Sequence, residues 1–363
     1  MRDVVVNVFC GGVRCNMYSD LLKARDIPAL RSRDEMLAVL QEEEYGHMPP
    51  QPEMLAWTMQ KEVVYKFGGD KACYYRITLQ YTLNGKNGAF PVECVIPKKP
   101  GKHPFFIHIN FQPGLPHRYN PTEELIDEGF AVLSFCYEDV TKDNADWTDG
   151  LAGVLYPEGK RNHPTDPGKI AMWAWAAQRV LDYAQTLDCL DLDGAIVCGH
   201  SRLGKTALLA AATDERFAFV HSNDSGCSGA ALARGNARET VARICELFPY
   251  WFCENYLKYA GNEEKMPFDQ HYLLGAIAPR YVSVGSAEED VFADPLSELL
   301  ACVGASESFE ACGADGFLYE ECALSGTVQF QKGSIGYYMR PGTHYFSRDD
   351  WHYLIAFVRT HKM

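Results

Sequence analysis

Short apolar runs alternate with amphipathic segments along most of this chain. Six runs read as strands: FFIHINF (105–111), FAVLSFCY (130–137), GAIVCGHS (194–201), FAFVHSND (217–224), RYVSVGSAEED (280–290) and GSIGYYMRPGTH (333–344). Each is short, bounded by turn residues and rich in β-branched or aromatic side chains. Between the second and third lies DPGKIAMWAWAAQRVLDYAQTL. There Ile170, Trp173, Ala177, Val180, Leu181 and Ala184 recur at helical spacing behind Pro167, which predicts one long helix. Strand–helix alternation predicts a mostly parallel sheet covered on both faces, a three-layer α/β sandwich.

The first part of the chain reads differently. DEMLAVLQEEEYG places Met36, Leu37, Val39 and Leu40 on a helix, and MPPQP stops it. Residues 1–60 are therefore expected to be a helical lead-in packed on a single α/β domain of residues 61–363. Within that domain YYRITLQYTL and FPVECVIP flank NGKNG, and two alternating runs around an Asn-Gly turn predict a hairpin. Residues 235–272 read as a helical insertion between two strands.

Composition narrows the classes. Of 363 residues, 47% are hydrophobic, enough for a substantial core. The net charge of −14 argues against a nucleic-acid partner, which selects for a basic face. The early run VVVNVF lacks a basic segment and a longer apolar stretch, and no apolar run reaches about 18 residues. No export signal, no membrane association and a cytoplasmic location are the expectations. The 13 cysteines are scattered with no C-x-x-C pair, and H-E-x-x-H is absent. No metal, cofactor or obligate protein partner is expected.

Candidate chemistry centres on GHSRLGKT, Gly199–Thr206. It matches the phosphate-binding pattern G-x-x-x-x-G-K-[ST], in which Lys205 and Thr206 would serve a nucleoside triphosphate and Mg²⁺. It equally fits a strand-to-helix turn presenting a nucleophilic Ser201, with Gly199 and Gly204 relieving crowding, although Gly204 falls one place later than in G-x-S-x-G. The motif follows several strands, holds only two glycines, and precedes no aliphatic run ending in Asp, all of which favour the serine reading. A serine nucleophile needs a histidine base and a carboxylate to orient it. Asp224, Asp290 and His344 follow Ser201, each where a strand runs out into a loop, the place where α/β sheets gather their sites.

GHSRLGKTAL resembles the serine turn of the glucuronoyl esterases, carbohydrate esterase family 15 of the α/β-hydrolase superfamily. The likeness continues through SNDSGCSGAALAR, PFDQHYLLGAIAPR, GSAEEDVFADP and RPGTHYFSRDDW, about residues 165–357, with an echo at EEEYGHMPP. The resemblance implies an α/β-hydrolase fold without a metal, cleaving esters of (4-O-methyl-)glucuronic acid on xylan with lignin alcohols. It implies Ser201 as nucleophile, His344 as base, Arg202 as oxyanion donor and Lys205 as a contact to sugar hydroxyls. Fungal members carry the acid at the place of Asp224 and many bacterial members at the place of Asp290; both are Asp here, and Asp290 is favoured. His200 stands in place of a cysteine and Phe292 in place of a sugar-packing tryptophan. Near Thr240 and Phe248 the fungal glutamine and glutamate contacts have no clear match. Trp251 is read either as an aromatic wall of the pocket or as core. The alternatives are an acetylxylan-type carbohydrate esterase and a P-loop NTPase.

Overall fold

A ten-stranded sheet organises the computed structural model, which describes residues 17–60 and 67–362. The strands are β1 (Met54–Met59), β2 (Ala72–Leu83), β3 (Lys86–Pro97), β4 (His103–Asn110), β5 (Ala131–Cys136), β6 (Leu190–His200), β7 (Phe219–Asn223), β8 (Tyr281–Ala287), β9 (Val328–Phe330) and β10 (Ile335–Arg340). Their spatial order is β1-β2-β3-β5-β4-β6-β7-β8-β10-β9. From β5 to β10 the neighbours run parallel, while β1, β2 and β3 at one edge and β9 at the other pair antiparallel.

Side-chain alternation divides the core between the two faces. From β4, Phe105, Ile107 and Ile109 join one apolar cluster with the helices Lys169–Ala184 and Arg202–Thr213. Phe106, between them in sequence, turns to the other face, where it stacks on Phe130 (4.8 Å) and meets Trp351 of the helix Arg348–Lys362 edge-on (5.1 Å). Trp173 and Trp175 are fully buried, and each indole N–H finds a carbonyl: Thr141 O at 3.0 Å and Pro50 O at 2.9 Å. Those bonds fasten the central helix to two loops that carry no regular structure of their own.

Every run expected as a strand is one, and the long helix covers Lys169–Ala184. The hairpin β2–β3 turns on Asn84 and Gly85, both at positive φ (51° and 69°), as a tight turn between right-twisted strands requires.

The lead-in needs correction. Its described part holds the helices Met17–Ala24 and Arg33–Leu40, the latter capped by reciprocal Ser32–Glu35 bonds. But Met54–Met59, expected in the lead-in, is the edge strand of the sheet, paired antiparallel with β2. The prolines at 49, 50 and 52 rule out a helix and deliver an extended chain to the open edge of β2. The run VVVNVF lies outside the described residues. The insertion is also less helical than expected: apart from Val241–Leu247 and the start of His271–Gly275 it consists of 3₁₀ turns and loops. The short β9 gave no signal of its own.

Candidate active site

Strand β6 ends at His200 and a helix begins at Arg202, so Ser201 is the single residue between them. Its backbone sits at φ 57°, ψ −130°, a conformation that costs a non-glycine residue on the order of 1–3 kcal/mol and persists only when surroundings enforce it. The enforcement is visible. Ser201 N–H donates to Asn223 O at the end of β7 (2.8 Å), and Ser201 O accepts from the N–H groups of Gly204 and Lys205 (2.8 and 3.2 Å). A Cβ at Gly199 would lie 2.2 Å from Leu203 O, and one at Gly204 would meet Ser222 Oγ at 2.9 Å. Gly204 is thus required one position late because it is the point of closest approach to β7. With the N–H groups of Ser201, Gly204 and Lys205 engaged and the helix starting at Arg202, the motif is a tight strand-to-helix turn with no loop to wrap a phosphate, which overturns the P-loop reading.

The loops after β8 and β10 lie side by side above this turn. Glu288 and Glu289 donate N–H bonds to Arg340 O and Gly342 O (2.8 and 3.0 Å), zipping the two loops together. They bring His344 Nδ1 to 2.5 Å from Asp290 Oδ2. With Nδ1 engaged, Nε2 is the nitrogen available to a substrate or a hydroxyl. The His344 ring lies 4.3 Å from that of His200, the residue preceding Ser201, which sets the imidazole over the turn. His344 keeps 45% of its side chain exposed, whereas Asp290 keeps 6%.

His200 itself is buried, with Nδ1 2.7 Å from Asn223 Oδ1. Burial, with the neighbouring His344 adding to it, pushes its pKa down to about 3, so the ring is neutral near pH 7.

Asp224 takes a different position. It directly follows β7 at φ 46°, fully sealed, and neither carboxylate oxygen has a hydrogen-bond partner. Arg340 Nη2 lies 3.7 Å away and His200 Nδ1 3.9 Å. Burial raises its pKa well above the ordinary carboxylate range, with Glu298, Asp350 and Asp290 adding to the rise and Arg340 opposing it. The turn after Asp224 leans on buried Glu298 instead, which accepts from the N–H groups of Ser225 and Gly226 (2.9 and 3.0 Å). Asp224, Asp290 and His344 offer ligand atoms within 4.8 Å of one another, a spacing compatible with a cation, with the Arg340 guanidinium already beside Asp224.

Arg202 follows Ser201 directly and is 26% exposed. Its Nη1 donates to Asp143, and its guanidinium carbon lies 4.7 Å from the Trp251 ring centre and 5.3 Å from that of Phe248. Its Nε is buried with no partner inside the protein.

Two expected ligand contacts are corrected. Lys205 is 2% exposed; its ammonium donates to Ser225 O (2.5 Å) and Cys227 O, with Glu239 Oε2 at 3.4 Å, and so braces the core beneath the turn. A helix that starts at Arg202 carries position 205 inward, one turn below the surface. Trp251 is 3% exposed, stacked on Phe248 at 3.8 Å and bonded through Nε1 to Asp143 Oδ1 (2.7 Å). It backs Arg202 and forms no open wall. Phe292, by contrast, is 59% exposed two residues beyond Asp290, at the rim.

Sequence reasoning passed over Asp143 and Arg340. Arg340 holds the His344 loop: Nη1 donates to Pro341 O (3.1 Å) and Nη2 to Tyr345 O, while Nε is fixed by buried Asp350 (2.8 and 2.9 Å). Asp143 sits in no periodic pattern or motif, whereas Arg340 lies in a run read as a strand and opens RPGTHYFSRDDW, where attention went to His344 alone.

A parallel sheet flanked by helices, with a strained serine at a strand–helix turn and a histidine–carboxylate pair on later strand ends, defines an α/β-hydrolase. The family profile of fungal glucuronyl esterases matches residues 79–313, and the chain belongs to the glucuronyl esterase family. It is 38% identical to carbohydrate esterase MZ0003 of an unknown prokaryotic organism over 240 residues, 66% of this chain and 55% of that protein. To a 4-O-methyl-glucuronoyl methylesterase of Podospora anserina it is 28% identical over 326 residues, 85% of this chain and 61% of that one. The structure of a glucuronoyl esterase from Solibacter usitatus superimposes with a TM-score of 0.81 at 29% identity, covering 93% of this chain and 97% of the other. The chain thus spans 55–61% of the length of these two curated relatives.

Proposed function

We propose that this protein hydrolyses carboxylic esters of glucuronic acid, including its 4-O-methyl form, through a seryl acyl-enzyme. The observation that carries the reading is the 2.5 Å contact of His344 Nδ1 with Asp290, over a turn that strains Ser201. Ser201 Oγ attacks the ester carbonyl and its proton passes to His344 Nε2. Asp290 accepts the Nδ1–H bond, holds that tautomer and stabilises the imidazolium. Negative charge on the carbonyl oxygen is met by backbone N–H groups at the start of the helix Arg202–Thr213 and by Arg202. Arg202 follows Ser201 directly and keeps 26% of its side chain exposed, which leaves part of the guanidinium accessible to a substrate. Collapse expels the alcohol, protonated by His344. Water then attacks the acyl carbon with His344 as base and releases the uronic acid. Asp224, sealed and without hydrogen bonds, is the weaker candidate for the orienting acid.

The test is Ser201→Ala assayed on a benzyl glucuronate ester. Turnover is expected to fall by about 10⁵–10⁶-fold, with far-UV circular dichroism and melting temperature preserved. Unchanged turnover removes Ser201 from the mechanism. Acetate release from acetylated xylan in preference to uronate ester cleavage would replace the uronoyl specificity with an acetyl esterase.

A further inference from the structure

The segment between β5 and the helix Gly150–Leu155 is held with unusual care for a loop. Lys169, fully buried at the start of the central helix, donates through Nζ to Lys142 O and Asp146 O, both at 2.6 Å. Trp173 Nε1 reaches Thr141 O (3.0 Å), and Asp149 accepts from Thr141 Oγ1 and Lys142 N–H (both 2.9 Å). Taking a lysine ammonium out of water is costly unless its donors are satisfied, so this arrangement survives only where the carbonyls it binds are fixed. Those carbonyls bracket one carboxylate, that of Asp143.

Asp143 is 6% exposed and collects donors from three parts of the chain. Arg202 Nη1 and Tyr137 OH (3.0 Å) reach Oδ2, and Trp251 Nε1 (2.7 Å) reaches Oδ1. Tyr250 OH adds a bond to its carbonyl (3.0 Å). The pair does not swallow the guanidinium. Asp143 takes only Nη1, one corner of the fork, and the side chain stays 26% exposed. Phe248 and Trp251, stacked with rings 3° from parallel, and Phe111 at 5.8 Å from the guanidinium carbon flank it.

We infer that Asp143 is the positioning residue of the oxyanion donor: it immobilises Arg202 beside Ser201 while leaving the exposed part of the guanidinium free for a reacting carbonyl. The inference rests on the proposed reading of Arg202. An unrestrained arginine has many rotamers to lose, and an oxyanion donor stabilises a transition state only if it is in place beforehand. A corner contact from a buried carboxylate supplies that order without covering the exposed part of the guanidinium. Asp143 itself touches no substrate.

A double-mutant cycle tests this, with kcat and KM measured on benzyl glucuronate ester and every rate normalised to Ser201 sites titrated by a fluorophosphonate. Asp143→Ala is expected to lower kcat about 30–100-fold with KM within about threefold, the size of effect that loss of geometry at a donor produces. In an Arg202→Ala background the same change is expected to cost less than about threefold, because the group it orients is gone. Equal losses in both backgrounds overturn the inference, as does a loss that vanishes on normalisation, which would make Asp143 merely structural. If Asp143→Ala does not fold, the isosteric Asp143→Asn carries the same cycle. Should Arg202→Ala leave kcat intact while Ser201→Ala abolishes it, the oxyanion reading of Arg202 fails and this inference with it. If Ser201→Ala retains turnover, the fault lies instead with the proposed function.

Discussion

On one flank of Ser201, Asp290 and His344 stand on loops leaving β8 and β10, and the imidazole keeps 45% of its surface in water. On the other flank, Arg202 is ringed by Phe111, Phe248 and Trp251 and pinned by Asp143, all from loops or from the turns of the insertion. The first flank is open and borne on the sheet; the second is the drier one, with Arg202 26% exposed against 45% for His344, and is assembled from irregular chain. The difference follows from what each would do. A base that takes a proton and later gives it up works at an accessible ring nitrogen. A donor for an oxyanion is strongest where water is excluded and the dipole cannot reorient. Uncapped irregular chain is poor at holding a side chain still, so the dry flank recruits buried ionic groups, Lys169 and Asp143, to do so.

This contrast can be broken at either flank. The largest expected effect is on the open one: Asp290→Asn should lower kcat by about 10⁴-fold through the wrong histidine tautomer, while leaving the melting temperature within a few degrees. Asp224→Asn should cost less than about tenfold, since that carboxylate accepts no hydrogen bond from His344. Equal losses in the two variants would erase the distinction between the acids.

On the dry flank, stability and rate should fall together. Trp251→Ala removes a fully packed indole and is expected to destabilise by roughly 3–5 kcal/mol in chemical denaturation. Its kcat should also drop, because Asp143 and Arg202 both lose contacts. A variant that keeps its denaturation midpoint would mean the aromatic stack is not what closes this flank.

The smallest effect concerns the boundary between them. His200 has its pKa lowered from the usual 6.5 to about 3 by burial, so between those values the unfolded chain binds a proton that the folded one refuses. Stability from this residue is complete above pH 6.5 and is lost as pH falls toward 3. Replacing His200 by Asn should flatten part of the acid limb of a melting-temperature profile between pH 4 and pH 7, the other buried histidines keeping the remainder. An unchanged limb would show that the ring is protonated in the fold.

Two long-range pairings of nearly equal reach show how far the sequence could be read. His344 and Asp290 are 54 residues apart and were both singled out; Arg202 and Asp143 are 59 apart, and only the first was. Distance along the chain is therefore not the obstacle. Parallel strands deliver their C-terminal ends to one edge by topology, so a residue that closes a recognised strand has a known destination. Asp143 lies in TKDNADWTDG, a stretch of turn-forming residues whose path nothing local dictates.

What the sequence alone determined is the part governed by short-range rules: apolar runs that become strands, the Asn-Gly hairpin, the glycines around Ser201, and the order of nucleophile, acid and base along the sheet edge. Packing decided the rest. It chose Asp290 over Asp224 as the partner of His344, turned Lys205 and Trp251 inward, paired residues 54–59 with β2, and set Asp143 against Arg202. Each of these depends on which groups lose water together, and that is settled only when segments without a local pattern of their own are pressed into a common interior.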